Sequence, residues 1–134
     1  MAHEIGWFVD GRVIYQRFYG AVTLEELAEA SRAVREFVTE GTAPVHGLID
    51  ITAVHQHPTS PAEIRRALRD LRFDPRRGWI IVIGVDPITR YLASVVFQLL
   101  GLRFRTLDTF DEALHFLALH DETLDELTLL PTQA

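Results

Sequence analysis

The chain has 134 residues, 48% of them hydrophobic and 24% charged, which suits one globular domain with its own core. It has no cysteine, and all 13 of its basic residues are arginine; this excludes disulfides, thiolate metal sites, a cysteine nucleophile, a lysine Schiff base and a P-loop lysine. The net charge of −6 argues against nucleic acid or an anionic membrane as the main partner.

Ile5–Val9 and Arg12–Tyr19 are rich in aromatic and β-branched residues and read as strands. Asp10-Gly11 between them is a hairpin signal, because both residues tolerate positive φ. Thr23-Leu24-Glu25-Glu26 is a capping box, and Leu24, Leu27, Ala28, Ser31, Val34 and Val38 follow at helical spacing. A helix over 24–40 ends at Gly41. Val45–Ile51 and Trp79–Gly84 are short β-branched runs of the kind found in strands buried on both faces. Between them lie a loop, Thr52 to Thr59, and a second box, Ser60-Pro61-Ala62-Glu63, with proline where its missing N–H costs nothing. Ile64, Ala67, Leu68 and Leu71 form the inner face of that helix.

Asp86-Pro87 opens a third helix that runs to Leu100 before Gly101. Leu102–Leu107 alternates apolar residues with Arg103, Arg105 and Thr106, the pattern of a half-exposed edge strand. Thr109-Phe110-Asp111-Glu112 is a third box and opens a fourth helix with Phe110, Ala113, Leu114 and Leu117 inward. A last short helix is expected over Asp121–Leu127. The order β-β-α-β-α-β-α-β-α predicts an α/β domain with a mixed sheet of five strands. No Gly-x-Gly-x-x-Gly follows a strand, which sets aside a dinucleotide fold. One domain is expected over 1–127, with a loose tail at 128–134.

The N-terminal residues carry neither the basic nor the apolar segment of a signal peptide. The most apolar region, Ile88–Leu100, falls well short of the ~20 residues of a membrane span. The expectation is a cytoplasmic protein with no membrane insertion.

Leu48-Ile49-Asp50-Ile51 at a strand end, followed by Pro58-Thr59-Ser60 at a helix start, resembles the STAS domain of bacterial anti-sigma-factor antagonists. The likeness spans nearly the whole chain, chiefly through element order. It implies a regulatory, non-enzymatic domain that meets a protein partner, a kinase or an anti-sigma-like protein. Asp50 falls on the family's strand-end acid, Thr59 on the phosphorylated position and Ser60 on the next one. Pro58 stands where the family has an acid, and Pro61 where it has glycine.

Without the family, Ser60 reads first as a helix cap, and Thr59 is the freer hydroxyl. His55-Gln56-His57 with Asp50 offers residue types that bind divalent metal, but no third spaced ligand is evident and a solvated loop is the simpler reading. Asp50 with His55 or His57 is also the only acid–base set for an enzyme, and Ser60 lacks the Gly-x-Ser-x-Gly setting of a hydrolase nucleophile. No catalytic residue, metal or cofactor is assigned. His46 and His115 are expected at the surface or in hydrogen bonds.

Arg65, Arg66, Arg69, Arg72, Arg76 and Arg77 crowd one stretch, whereas Thr106 onward has seven acids and no base. Solvated faces explain both; the functional reading puts Arg65, Arg66 and Arg69 against an acidic partner. The third helix is apolar over more than half its circumference. It is either packed between the second and fourth helices, or it uses Tyr91, Val95 and Gln98 to meet a second copy or a hydrophobic ligand. The alternative function is therefore a small hydrophobic-ligand or lipid-binding module with a pocket between this helix and the sheet.

Overall fold

A computed structural model describes residues 3–71, 74–84 and 86–124. The two apolar runs become neighbouring parallel strands, β3 (Val45–Gln56) and β4 (Arg77–Ile83). Leu48, Ile80 and Ile81 are fully buried. Burying a leucine or isoleucine contributes about 1.5–3 kcal/mol, so this pair anchors the domain. Strand β1 (His3–Val9) pairs antiparallel with β2 (Val13–Ala21), and β2 pairs parallel with β3. Strand β5 (Phe104–Leu107) pairs with β4 at the far edge, which completes a five-stranded mixed sheet in the order β1-β2-β3-β4-β5.

Three connections each step one strand in the same direction. Crossovers of one hand then place their helices on one face of the sheet. These are α1 (Leu24–Glu40), α2 (Pro61–Ala67) with a 3-10 turn at Arg69–Leu71, and α3 (Pro87–Leu99). Their inner residues, among them Val34, Ile64 and Val96, pack on Ile14, Ile49 and Ile80. Among the described residues no strand follows α4 (Phe110–His120), and this helix folds back over the other face. There Ala113 and Leu117 cover Val13, Leu48 and Ile81. So α3 does not sit between the second and fourth helices, as one sequence reading had it: α3 packs beside α2, and α4 lies across the sheet.

The helix starts follow the capping signals. Thr23 forms a full box with Glu26, and Ser60, Asp86 and Thr109 each accept a backbone N–H three residues on. Gly41 does cap α1, but at φ −82°, so the left-handed region is not the reason for glycine there. A Cβ at that position would lie 2.7 Å from the Gly11 carbonyl oxygen; the requirement is close approach.

Three expectations differ from the structure. The loop expected from Thr52 is strand as far as Gln56, because β3 goes on pairing with Tyr19, Gly20 and Ala21 of β2. The second helix is shorter than its apolar pattern suggested, since the chain tightens into the 3-10 turn after Leu68. Of the last helix expected over Asp121–Leu127, the described part is a non-helical turn closed by the Leu124 N–H on the Asp121 carbonyl (3.0 Å). Residues 125–127 and the tail 128–134 lie outside the described residues.

Asp121 ties α4 to the sheet. One carboxylate oxygen accepts from Arg12 (2.8 Å) and from His46 Nε2 (2.7 Å); the other accepts from the Thr123 N–H (2.9 Å) and hydroxyl (2.6 Å). His46 is buried, and its Nδ1 accepts the Trp79 N–H (2.9 Å), so the proton sits on Nε2. A Cβ at Gly78 would strike the same ring at 2.3 Å from Nδ1. Burial pushes the His46 pKa below 6.5, against the pull of Asp121. Burial acts to raise the Asp121 pKa, but hydrogen bonds from His46 and Thr123 outweigh it and hold the carboxyl at about 2.

Both shifts are downward from the unfolded values, so both give stability that acid removes. The His46 contribution is complete above 6.5 and declines as the pH falls toward the folded-state value. The Asp121 contribution is complete above 3.8 and is lost as the pH falls to about 2. Thermal unfolding is therefore expected at progressively lower temperature as the pH drops below neutrality, and NMR titration should place the His46 ring midpoint below 6.5. A midpoint at or above that value would contradict the assigned tautomer.

Candidate functional site

The carboxy ends of β3 and β4 meet the starts of α2 and α3, and most of the residues singled out from sequence lie along this rim. Strand alternation separates them. Ile49, Ile51 and Val54 face the three-helix side. Asp50 lies on the other face, where its Oδ1 accepts from the Thr52 N–H (2.9 Å) and hydroxyl (2.7 Å) and its Oδ2 from the Tyr15 hydroxyl (3.3 Å). Burial, and after it the Asp50 charge, raises the Tyr15 pKa. Asp50, midway along β3, is thus occupied in bonds to Thr52 of its own strand and Tyr15 of β2.

His55 is exposed on β3 and makes no hydrogen bond to the described residues. His57, just past the strand, turns inward. Its Nδ1 donates to the Pro58 carbonyl (2.7 Å), and its Nε2 lies 3.2 Å from the Thr89 hydroxyl on α3. Thr89 in turn bonds the Asp86 cap through its N–H (2.8 Å) and hydroxyl (3.1 Å), which holds the Asp86 carboxyl below the usual range. The chain His57–Thr89–Asp86 latches the β3–α2 loop to the start of α3. Among the described residues, no group of three or more histidines and acids is placed to hold a metal. The Asp50, His55 and His57 side chains do not share a hydrogen-bond network, so the acid–base set that the sequence suggested is not assembled.

Ser60 caps α2 by accepting the Glu63 N–H (3.3 Å). Thr59 is exposed, and its hydroxyl makes no hydrogen bond to the described residues. Arg65, Arg66 and Arg69 are exposed on the α2 segment, turned to solvent.

Behind the His57–Thr89 latch is a cavity of about 150 Å³ between α1, α2, α3 and the sheet. Its walls are mainly aliphatic and aromatic, with Val34 of α1, Ile64 of α2, Ile49 of β3 and Phe97 of α3 among them. Gln16 and Ser31, two of its polar wall residues, already hold partners: Gln16 Oε1 lies 3.0 Å from His3 Nε2, and the Ser31 hydroxyl donates to the Ala28 carbonyl (2.9 Å). Helix α3 contributes Thr89, Leu92, Ala93, Val96 and Phe97. Tyr91 and Gln98 are exposed and Val95 is half-buried, so those three lie around the helix from the cavity. With Ile88 and Leu99 they leave an apolar stripe at the surface. Of the two uses the sequence left open for Tyr91, Val95 and Gln98, lining a pocket between α3 and the sheet does not fit where they lie, whereas an outward face does. The inward set was legible at i, i+3, i+4 and i+7 from Thr89; what was missing was which stripe the sheet would take.

No helix among the described residues is long and apolar enough to cross a membrane. No protein-family model matches the chain, and no curated protein matches it. Among solved structures it is similar to an uncharacterised protein of the DUF3478 family from Shewanella loihica PV-4, described as having a SpoIIAA-like fold. The TM-score is 0.59 at 18% identity, over 87% of this chain and 92% of that one. The chain therefore has the SpoIIAA-like, STAS-type α/β fold that its element order predicted.

Proposed function

We propose that this protein is a non-enzymatic binding module whose ligand is a small hydrophobic molecule held in the cavity behind the His57–Thr89 latch. The cavity itself carries this reading. Its walls are apolar side chains that a hydrophobic ligand would cover and give packing partners. Apolar cavities of about 150 Å³ stay dry and accept molecules the size of benzene. The latch supplies the polar handle that fixes orientation in an otherwise apolar site, and it is the part that must open for entry. The walls favour burial over chemistry: apart from Gln16, Ser31 and the His57–Thr89 latch, the lining is almost wholly apolar.

The test is an NMR titration with benzene and with indole. Saturable shifts are expected for Val34, Ile64 and Leu92, and they should disappear in Ala93→Leu, which fills the space from α3. Wild-type protein whose cavity resonances stay fixed at millimolar probe would end this reading.

A second reading has its own observation. Thr59 presents an uncommitted hydroxyl just outside the Ser60 cap, at the position where the STAS resemblance puts the phosphorylated residue. In that reading the module meets a protein partner along this rim, and a kinase sets its state through Thr59. Asp50 takes no part, since it faces away. Ser60→Ala is expected to cost ~1 kcal/mol of stability, the worth of a helix cap, and Thr59→Ala less than about 0.5 kcal/mol. Denaturant unfolding measures both. Mass spectrometry of protein taken from its native cells should then find phosphate on Thr59 and none on Ser60.

A further inference from the structure

The opposite ends of the same strands carry a different kind of site. Arg35 of α1, Arg65, Arg66 and Arg69 of the α2 segment, and Arg77 at the start of β4 line one groove of about 890 Å³. Its acids are Asp70 and Asp74, so five guanidinium groups face two carboxylates in a chain whose net charge is −6. Asp70 lies 3.7 Å from Arg35, and one Asp74 oxygen accepts the Arg76 N–H (2.9 Å). Arg65, Arg66 and Arg69 make no ion pair or hydrogen bond with the described residues.

Arg77 is the unusual member. It is only 7% exposed, and its Nε is buried with no hydrogen-bond partner. Its Nη2 lies over Gly47, where a Cβ would stand 3.4 Å away, at van der Waals contact. Burial lowers its pKa to about 10, with Asp74 the opposing charge, so it stays cationic at neutral pH. A guanidinium has five donors and no acceptor, and a buried charge without a hydrogen-bonded partner is costly to keep. Arg12 at the same end of the sheet shows the ordinary solution, an aspartate at 2.8 Å. Among the described residues Arg77 has no such partner, and it lines an open groove crowded with further arginines.

We propose that this groove binds a phosphate-bearing anion, with Arg77 as the buried anchor and Arg65, Arg66 and Arg69 as the exposed clamp. Planar guanidinium forks match phosphate oxygens in pairs, and a compact multivalent anion satisfies several at once. The acidic molecule as a whole repels long polyanions, so the occupant is a small phosphate compound rather than nucleic acid. The site is distinct from the apolar cavity and stands whether or not that cavity is filled.

Calorimetric titration of the intact protein with inorganic pyrophosphate at low ionic strength tests it. Saturable one-to-one binding is expected. Arg77→Met keeps the packing and removes the buried charge, a change that folds tolerate well. Affinity should fall at least about tenfold, the scale of one lost charge-assisted hydrogen bond. The double variant Arg66→Ala/Arg69→Ala, confined to the surface, should weaken binding comparably, and Arg105→Ala, outside the groove, should leave it unchanged. Glycerol phosphate in solution and vesicles containing phosphatidic acid separate a soluble ester from a lipid headgroup; binding of either supports the assignment. Absence of pyrophosphate binding by the wild type overturns it, as does undiminished, wild-type affinity in both groove variants. Binding of a polyglutamate peptide in place of every phosphate compound also overturns it, since the groove is then a protein-docking surface.

Discussion

The parallel pairing of β3 with β4 is the constraint from which the rest of the molecule follows. Both strands are apolar on both faces, so neither face of the central sheet can meet water. Three crossovers of one hand cover the first face with α1, α2 and α3, and only the last helix is left for the second. The two faces are closed by different means. The three-helix side is closed by aliphatic packing. The single-helix side has less apolar cover, and the end of α4 is pinned by the Asp121 network across β2, β3 and β4.

The three-helix side has the larger span to fill, and there the fill is incomplete. Short α2 and its 3-10 turn cannot reach as far as a full helix would, and the space left over forms the cavity under the rim and the groove at the other end. The two spaces differ in chemistry because the strands bring different residues to their two ends. At the carboxy ends, Val54, His57 and Pro58 give way to the apolar inner face of α3. At the amino ends, Arg77 is buried at the start of β4 with its Nη2 over Gly47.

Arg12 and Arg77 show how burial is reconciled with charge in two ways. Arg12 is held by Asp121, which is itself saturated by His46 and Thr123, so that charge is spent on structure. The Arg77 guanidinium has Nε buried without a partner and the open side of a groove in front of it. Asp50 belongs with Arg12: its oxygens are taken by Thr52 and Tyr15, so the carboxylate ties β3 to β2.

Most of the elements, and through their order the fold, were legible along the chain. Capping residues, turn glycines and apolar period are local properties, and local hydrogen bonds at Thr23, Ser60, Asp86 and Thr109 are enough to start each helix where the pattern says. The β-branched runs likewise declared themselves as buried strands, and their order implied the STAS-type sheet. Only the tertiary structure decided which residues meet. His46 and Asp121 are 75 positions apart, and His57 and Thr89 are 32 apart; no spacing rule links them. Strand alternation sent Asp50 to the face opposite Ser60 although a short loop separates them in sequence. The handed crossovers put α4 across the sheet from α3, and packing chose the inward stripe of α3 for the cavity. These are outcomes of how surfaces close over a sheet, a property of the assembled volume that no window along the chain contains.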